Sequence, residues 1–163
     1  MAHFYSLSST DYQVLEQKQA GGKASGLARL AGEGFRTPPG FVILDAGDAL
    51  SKEELASHLE AIGPGPYAVR SSASDEDGDA ASFAGQYVSI LNVEDLAGVA
   101  KAIEDCEASL ESVRAQAYRD AKGSDGTQSM GVVVQAMIAP RAAGVLFTAD
   151  PVTGRRDRVV VDA

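Results

Sequence analysis

A chain of 163 residues with 45% hydrophobic content can bury a core of its own and falls in the size range of one domain. Its formal charge of −9 excludes the broad Lys/Arg surface that nucleic acid or an anionic membrane face requires, so any anion site must be local, built from a few cations and backbone N–H groups. The single cysteine, Cys106, excludes an intrachain disulfide; with no signal-like start and no apolar run of about 18 residues, the chain is expected to be cytoplasmic.

After a polar lead-in, "GGKASGLARLAGEGF" sets a glycine pair before Leu27, Leu30 and Ala31 at helical spacing. This predicts a turn feeding a helix, weakened at its far end by Gly32 and Gly34. "TPPGFVIL" predicts a turn and then a buried strand at Phe41 to Leu44. "SKEELASHLEAI" opens with Ser51 three positions before Glu54, a capping box, and carries Leu55, Leu59 and Ile62 on one helical face. "GPGP" ends that helix, and "YAVR" follows as a short strand closed by Arg70. The stretch through "SSASDEDGDAASFAGQYVSIL" reads as an acidic loop and a Gly-containing bend leading into another strand.

From Leu96 the apolar positions Val99, Ile103, Cys106, Leu110, Val113 and Ala117 recur three and four apart, predicting one helix or two in succession with a soft break near "ASLES". The run is short for a coiled coil, so packing on the chain's own sheet is expected over a partner helix. "KGSDGTQS" is a loop. Beyond it, "GVVVQAMI", "AAGVLFTA" and "RVVVDA" are β-rich runs separated by "APR" and the turn "DPVTGRRD", expected to form a meander. The change of character suggests that residues 1–129 form one lobe and residues 130–163 begin a second.

Four places can carry chemistry. Lys23 follows Gly21 and Gly22 at a helix start, where free N–H groups and the helix dipole favour an anion, although the local pattern by itself favours a solvated lysine after a turn. It is not a Walker P-loop, which would need glycine at Gln17 and Ser or Thr at Ala24. Arg70, followed by the hydroxyls of Ser71 and Ser72, can grip phosphate oxygens with a planar guanidinium, or pair with Asp75, Glu76, Asp77 or Asp79. In the run Ser82, Phe83, Ala84 and Gly85, the small Ala84 and Gly85 follow an aromatic and would let backbone approach a ligand closely, or the run simply forms a hairpin bend. Gln135, sharing a strand face with Val133 and Met137, needs a partner if buried: a backbone group or the edge of a bound base. His3, in an expectedly unstructured start, and His58, on a helix, give no nucleophile relay or zinc spacing with one cysteine, so metal hydrolases and thiol enzymes drop out and no metal ligand or catalytic residue is named.

In their order, "GGKASGLARLAGEGFRTPPGF", "YAVRSSASDEDGDAASFAGQYVSILNV", "VVVQAMI" and "AGVLFTADPVTG" resemble the N-terminal ATP-grasp domain of the phosphoenolpyruvate synthase and pyruvate phosphate dikinase family. The resemblance implies an α+β, ATP-grasp-like fold comprising a first lobe and the opening strands of a second, with ATP between them. It implies that Lys23, Arg70 and Ser71 meet the polyphosphate, that Ser82 to Gly85 cover it, and that Gln135, Ala136 and Met137 line the adenine. Magnesium ligands are expected downstream, after a Gly-Leu-Gly-Glu motif. The partners implied are a swivelling domain bearing a phosphohistidine and a pyruvate-binding domain, neither of which lies in this chain, so it reads as a fragment that does not turn over by itself. Between the "GF" strand and "YAVRSS" the sequence is shorter than the family pattern. Alternatives are a stand-alone nucleotide-binding or regulatory module, and the ATP lobe of a related phosphotransferase acting on an antibiotic or a glucan.

Overall fold

A computed structural model describes residues 2–7, 12–17, 20–44, 50–73, 88–120 and 130–163. The acidic stretch 75–79, the segment Ser82 to Gly85 and the expected loop at 122–129 lie outside the described residues.

Eleven elements follow in chain order: β1 (His3–Ser6), α1 (Tyr12–Gln17), α2 (Gly22–Gly32), β2 (Gly40–Leu44), α3 (Lys52–Ile62), β3 (Tyr67–Ala73), β4 (Ser89–Val93), α4 (Leu96–Asp120), β5 (Met130–Ala136), β6 (Val145–Phe147) and β7 (Val160–Asp162). Five strands form one antiparallel sheet in the order β1-β2-β5-β3-β4, and β6 and β7 form a separate antiparallel pair.

Successive side chains of a strand face opposite sides of a sheet. Val132 and Val134 of β5 accordingly join Phe41, Ile43, Val69, Leu55, Leu59, Val99, Ile103 and Cys106 in a core beneath α3 and α4, whereas Val133 joins Val42, Leu44, Leu15, Ala24 and Ala28 beneath α1 and α2. With helices on both faces, every residue of β2 is buried, which is why "GFVIL" is continuously apolar rather than alternating.

The capping box at Ser51 is realised on the serine's side: its hydroxyl oxygen accepts from the Glu54 N–H at 3.3 Å, and its own proton goes to Glu53 at 3.0 Å. Gly63, at φ 93°, closes α3. The segment from Leu96 is one helix of 25 residues with no break at "ASLES", and its apolar face packs on the chain's own sheet, as the spacing predicts. The turn "DPVTG" is present: the Asp150 carboxylate accepts from Val152 and Thr153 N–H groups, and Gly154 adopts φ 71°.

Three expectations need correction. The start of the chain is not unstructured: β1 pairs with β2 along its whole length, His3 opposite Leu44 and Ser6 opposite Phe41, because Ala2 and Leu7 are apolar anchors at its two ends. Arg70 does not end its strand, since β3 continues through Ala73 with Ser71 and Ser72 fully buried inside it. The three late β-runs do not make a meander: β5 sits at the centre of the five-stranded sheet between β2 and β3, and only β6 and β7 pair with each other. The sheet thus draws strands from both sides of position 130. The β6–β7 pair leaves Val145, Leu146 and Val161 more than half exposed.

Candidate functional site

The start of α2 is seated directly on β3. Gly21 is the N-cap of α2 and has no side chain to cap the orphan N–H groups of the first turn. The Ser72 hydroxyl does so from 48 residues away, accepting from the Ala24 N–H at 3.0 Å. The approach demands glycine at 21. Its φ is 89°, and a Cβ there would lie 2.4 Å from the Ser72 carbonyl carbon and hydroxyl oxygen. Lys23, half-buried, stands immediately before the capped residue.

Arg70 lies two positions before Ser72 on β3, roughly 7 Å along the strand. It pairs with Val133, as Ser72 pairs with Gly131, so both belong to the sheet face that α1 and α2 cover. The fold therefore brings the start of α2, with Lys23, and the Arg70 segment of β3 to one face of the sheet.

Ser71 points the other way. Its N–H and its hydroxyl both donate to the Val88 carbonyl, at 3.0 and 3.1 Å, and the Cys106 thiol approaches the same oxygen at 3.8 Å. Burial is the main reason the Cys106 thiol is pushed up to about 11; the nearby Asp105 and Glu107 carboxylates add to the rise, while the Ser71 N–H and the Lys23 ammonium oppose it. Ser71 and Cys106 thus fix the entry of β4 to the end of β3.

On β5, Gln135 is 6% exposed and donates its amide N–H to the Pro38 carbonyl at 3.2 Å. Of the two partners the sequence leaves open, the backbone one is present. Gly40, opposite Gln135, makes the room: a Cβ there would meet Gln135 Cγ at 2.7 Å and the Val134 carbonyl at 2.6 Å. Ala136 and Met137 continue the edge, their N–H groups donating to Pro39 and Pro66 carbonyls at 2.9 Å. The Met137 sulfur receives the N–H of Asn92, a residue at φ 58° in the β4 bulge, at 3.1 Å. Gln135 shares its face with Val133 and hence with Arg70.

Neither histidine is placed for proton transfer at this site: His3 is in the edge strand β1, and His58 on α3 stacks on Phe4. Among the described residues there is no group of three or more His, Cys, Asp or Glu that could hold a metal ion. No described helix is long and apolar enough to cross a membrane. The residue that sequence reasoning undervalued is Ser72. The signal available was a glycine N-cap, which cannot cap itself, in a chain with a serine pair ending an apolar strand.

Fold and site define the class: an α+β domain whose candidate site is one sheet face bearing a lysine at a helix start and an arginine on the strand beneath. The chain belongs to the family described as pyruvate phosphate dikinase, AMP/ATP-binding domain, which matches residues 48–163. A rifampicin phosphotransferase of a Streptomyces species is 37% identical over 89% of this chain and 22% of its own length. A phosphoenolpyruvate synthase of Aeropyrum pernix is 46% identical over 59% of this chain and 12% of its own length, and a prodigiosin synthesizing transferase of Serratia marcescens is 34% identical over 93% and 20%. The chain therefore spans at most about a fifth of these relatives. The first alignment runs to 193 positions, more than this chain has residues, so that relative carries segments this chain lacks.

Proposed function

We propose that this chain is the first lobe of an ATP-grasp domain, with β6–β7 opening the second, and that it holds ATP for phosphoryl transfer. Lys23 and Arg70 contact the polyphosphate, Ser82 to Gly85 cover it, and Gln135 to Met137 run along the adenine. Ser71 contributes by holding the end of β3 in place. The observation that carries this reading is the Ser72–Ala24 hydrogen bond, which seats the lysine-bearing turn of α2 on the arginine-bearing strand.

Phosphoryl transfer asks a protein mainly to position the reactants and offset developing negative charge, and an ammonium and a guanidinium converging from two elements suit that task. On a protein of net charge −9, such a pair also makes the local field opposite to the overall one. In the longer parent protein, ATP would phosphorylate a histidine on a swivelling domain, which passes the phosphoryl group to an acceptor. Magnesium ligands would come from outside this chain.

Two acceptors are in view. Pyruvate follows from the phosphoenolpyruvate synthase relatives. An antibiotic is favoured by the rifampicin phosphotransferases among the relatives, one of them 53% identical over 60% of this chain. The test is calorimetric titration of this chain with ATP and magnesium, beside adenosine and inorganic triphosphate. Saturable ATP binding supports the reading; absence of heat with every ligand, in a chain with a cooperative unfolding transition, removes it. The acceptor is then tested in the parent protein, with pyruvate and rifampicin offered in parallel.

A further inference from the structure

We propose that Ser72 is a positioning residue of the site: its hydroxyl supplies in trans the cap that Gly21 cannot, and thereby fixes Lys23 beside Arg70 before any ligand arrives. The inference rests on the nucleotide reading above and adds the device that presets its geometry.

The first N–H groups of a helix have no intrahelical partner, and a serine or aspartate at the N-cap ordinarily takes the third. In α2 the first intrahelical bond is Ser25 N–H to Gly21 O at 3.0 Å, and the Ala24 N–H, the third of the helix, is met by Ser72 Oγ at 3.0 Å. Ser72 and Ala24 are both 0% exposed, so water cannot substitute. An unmet donor there would carry the full cost of desolvation.

Gly21 and Ser72 are a matched pair. Any side chain at 21 would both strain the backbone at φ 89° and displace the serine it faces. On the opposite face the neighbouring Ser71 is held by two bonds to Val88. The segment Arg70 to Ala73 is thus gripped from both sides. Arg70 and Lys23 therefore project from backbone that is already fixed, so no backbone freedom need be lost when their side chains meet a ligand, which is the part of preorganisation this bond supplies.

The test uses the whole chain. In the wild-type protein, hydrogen exchange should show the Ala24 amide protected well beyond those of Gly22 and Lys23; equal exchange at the three would overturn the proposal without any mutation. Ser72→Ala should weaken ATP and inorganic triphosphate binding by about three- to tenfold, the size of one neutral hydrogen bond, and leave adenosine within about twofold. A purely structural loss would lower all three alike. In a Lys23→Ala background the Ser72→Ala effect on ATP should vanish; persistence at full size would mean that Ser72 does not act through Lys23. A wild-type chain that binds no ATP removes the nucleotide reading and this inference together. A wild type that binds, with Ser72→Ala binding equally well, removes the inference alone.

Discussion

The His58 ring lies stacked on Phe4, centroids 4.3 Å apart and planes 6° from parallel, and tilts against Phe41 at 5.3 Å. Two of these residues belong to strands and one to α3, so the imidazole fastens β1 and β2 to the helix layer. His58→Phe should preserve stability, while His58→Ala should lose about 0.5–1.5 kcal/mol for the aromatic contact, measured by urea denaturation. Both should bind ATP as wild type does. Loss of binding in His58→Phe would show that the imidazole has a chemical role.

Arg70 and Lys23 separate binding from folding. Charge-assisted hydrogen bonds contribute about 1.5–3 kcal/mol, so Arg70→Ala should weaken ATP by roughly ten- to a hundredfold or more, and Lys23→Ala by a similar factor. The melting temperature should change little in either variant, because both side chains are only half-buried. Undiminished ATP affinity in Arg70→Ala would remove it from the site.

Cys106 makes a pH prediction. Its thiol ionises near 11 in the fold, mainly through burial, against an ordinary 9.0. Below 9 both states keep the proton and the thiol's preference for the fold is fully present. Between about 9 and 11 only the unfolded chain releases it, so the unfolded state binds fewer protons and stability falls as pH rises, by up to about 1.4 kcal/mol per pH unit. Cys106→Ala should remove this component of the slope between pH 9 and 11. In the native protein at pH 8 the thiol should react with an aromatic disulfide only as fast as the fold opens.

Ser51→Ala should cost about 0.5–2 kcal/mol, because α3 loses the acceptor of the Glu54 N–H. The effect should appear in thermal unfolding and leave ATP affinity untouched, α3 lying beneath the sheet face opposite to α2. A change in affinity at constant stability would contradict that separation of the two faces.

How much of this was legible depends on how far apart the interacting residues lie. The α2 helix announced itself by its glycine pair and apolar spacing, α3 by Ser51 and Glu54, α4 by Leu96 to Leu110, and β2 by its unbroken apolar run. Each rests on contacts within a few residues. β1 was invisible: four residues of "HFYS" have no periodicity of their own and become a strand because β2 offers an open edge and Phe4 finds Phe41 and His58. The same holds at the site, where residue types pointed to Lys23 and Arg70, but the bond that seats the start of α2 on β3 joins residues 48 apart and that of Gln135 residues 97 apart.

The sequence by itself determined the helices α2, α3 and α4, the apolar strands, the acidic balance and the family, since caps, periodicity and motif order are local properties of the chain, whereas α1 lies in a stretch that read only as a polar lead-in. Only the tertiary structure decided that β5 crosses back between β2 and β3, that β3 runs on through two buried serines, and that one of those serines caps a helix from another part of the chain. Strand order and trans caps are choices among many pairings of similar local chemistry, made by which arrangement buries both sheet faces and meets buried donors such as the Ala24 N–H.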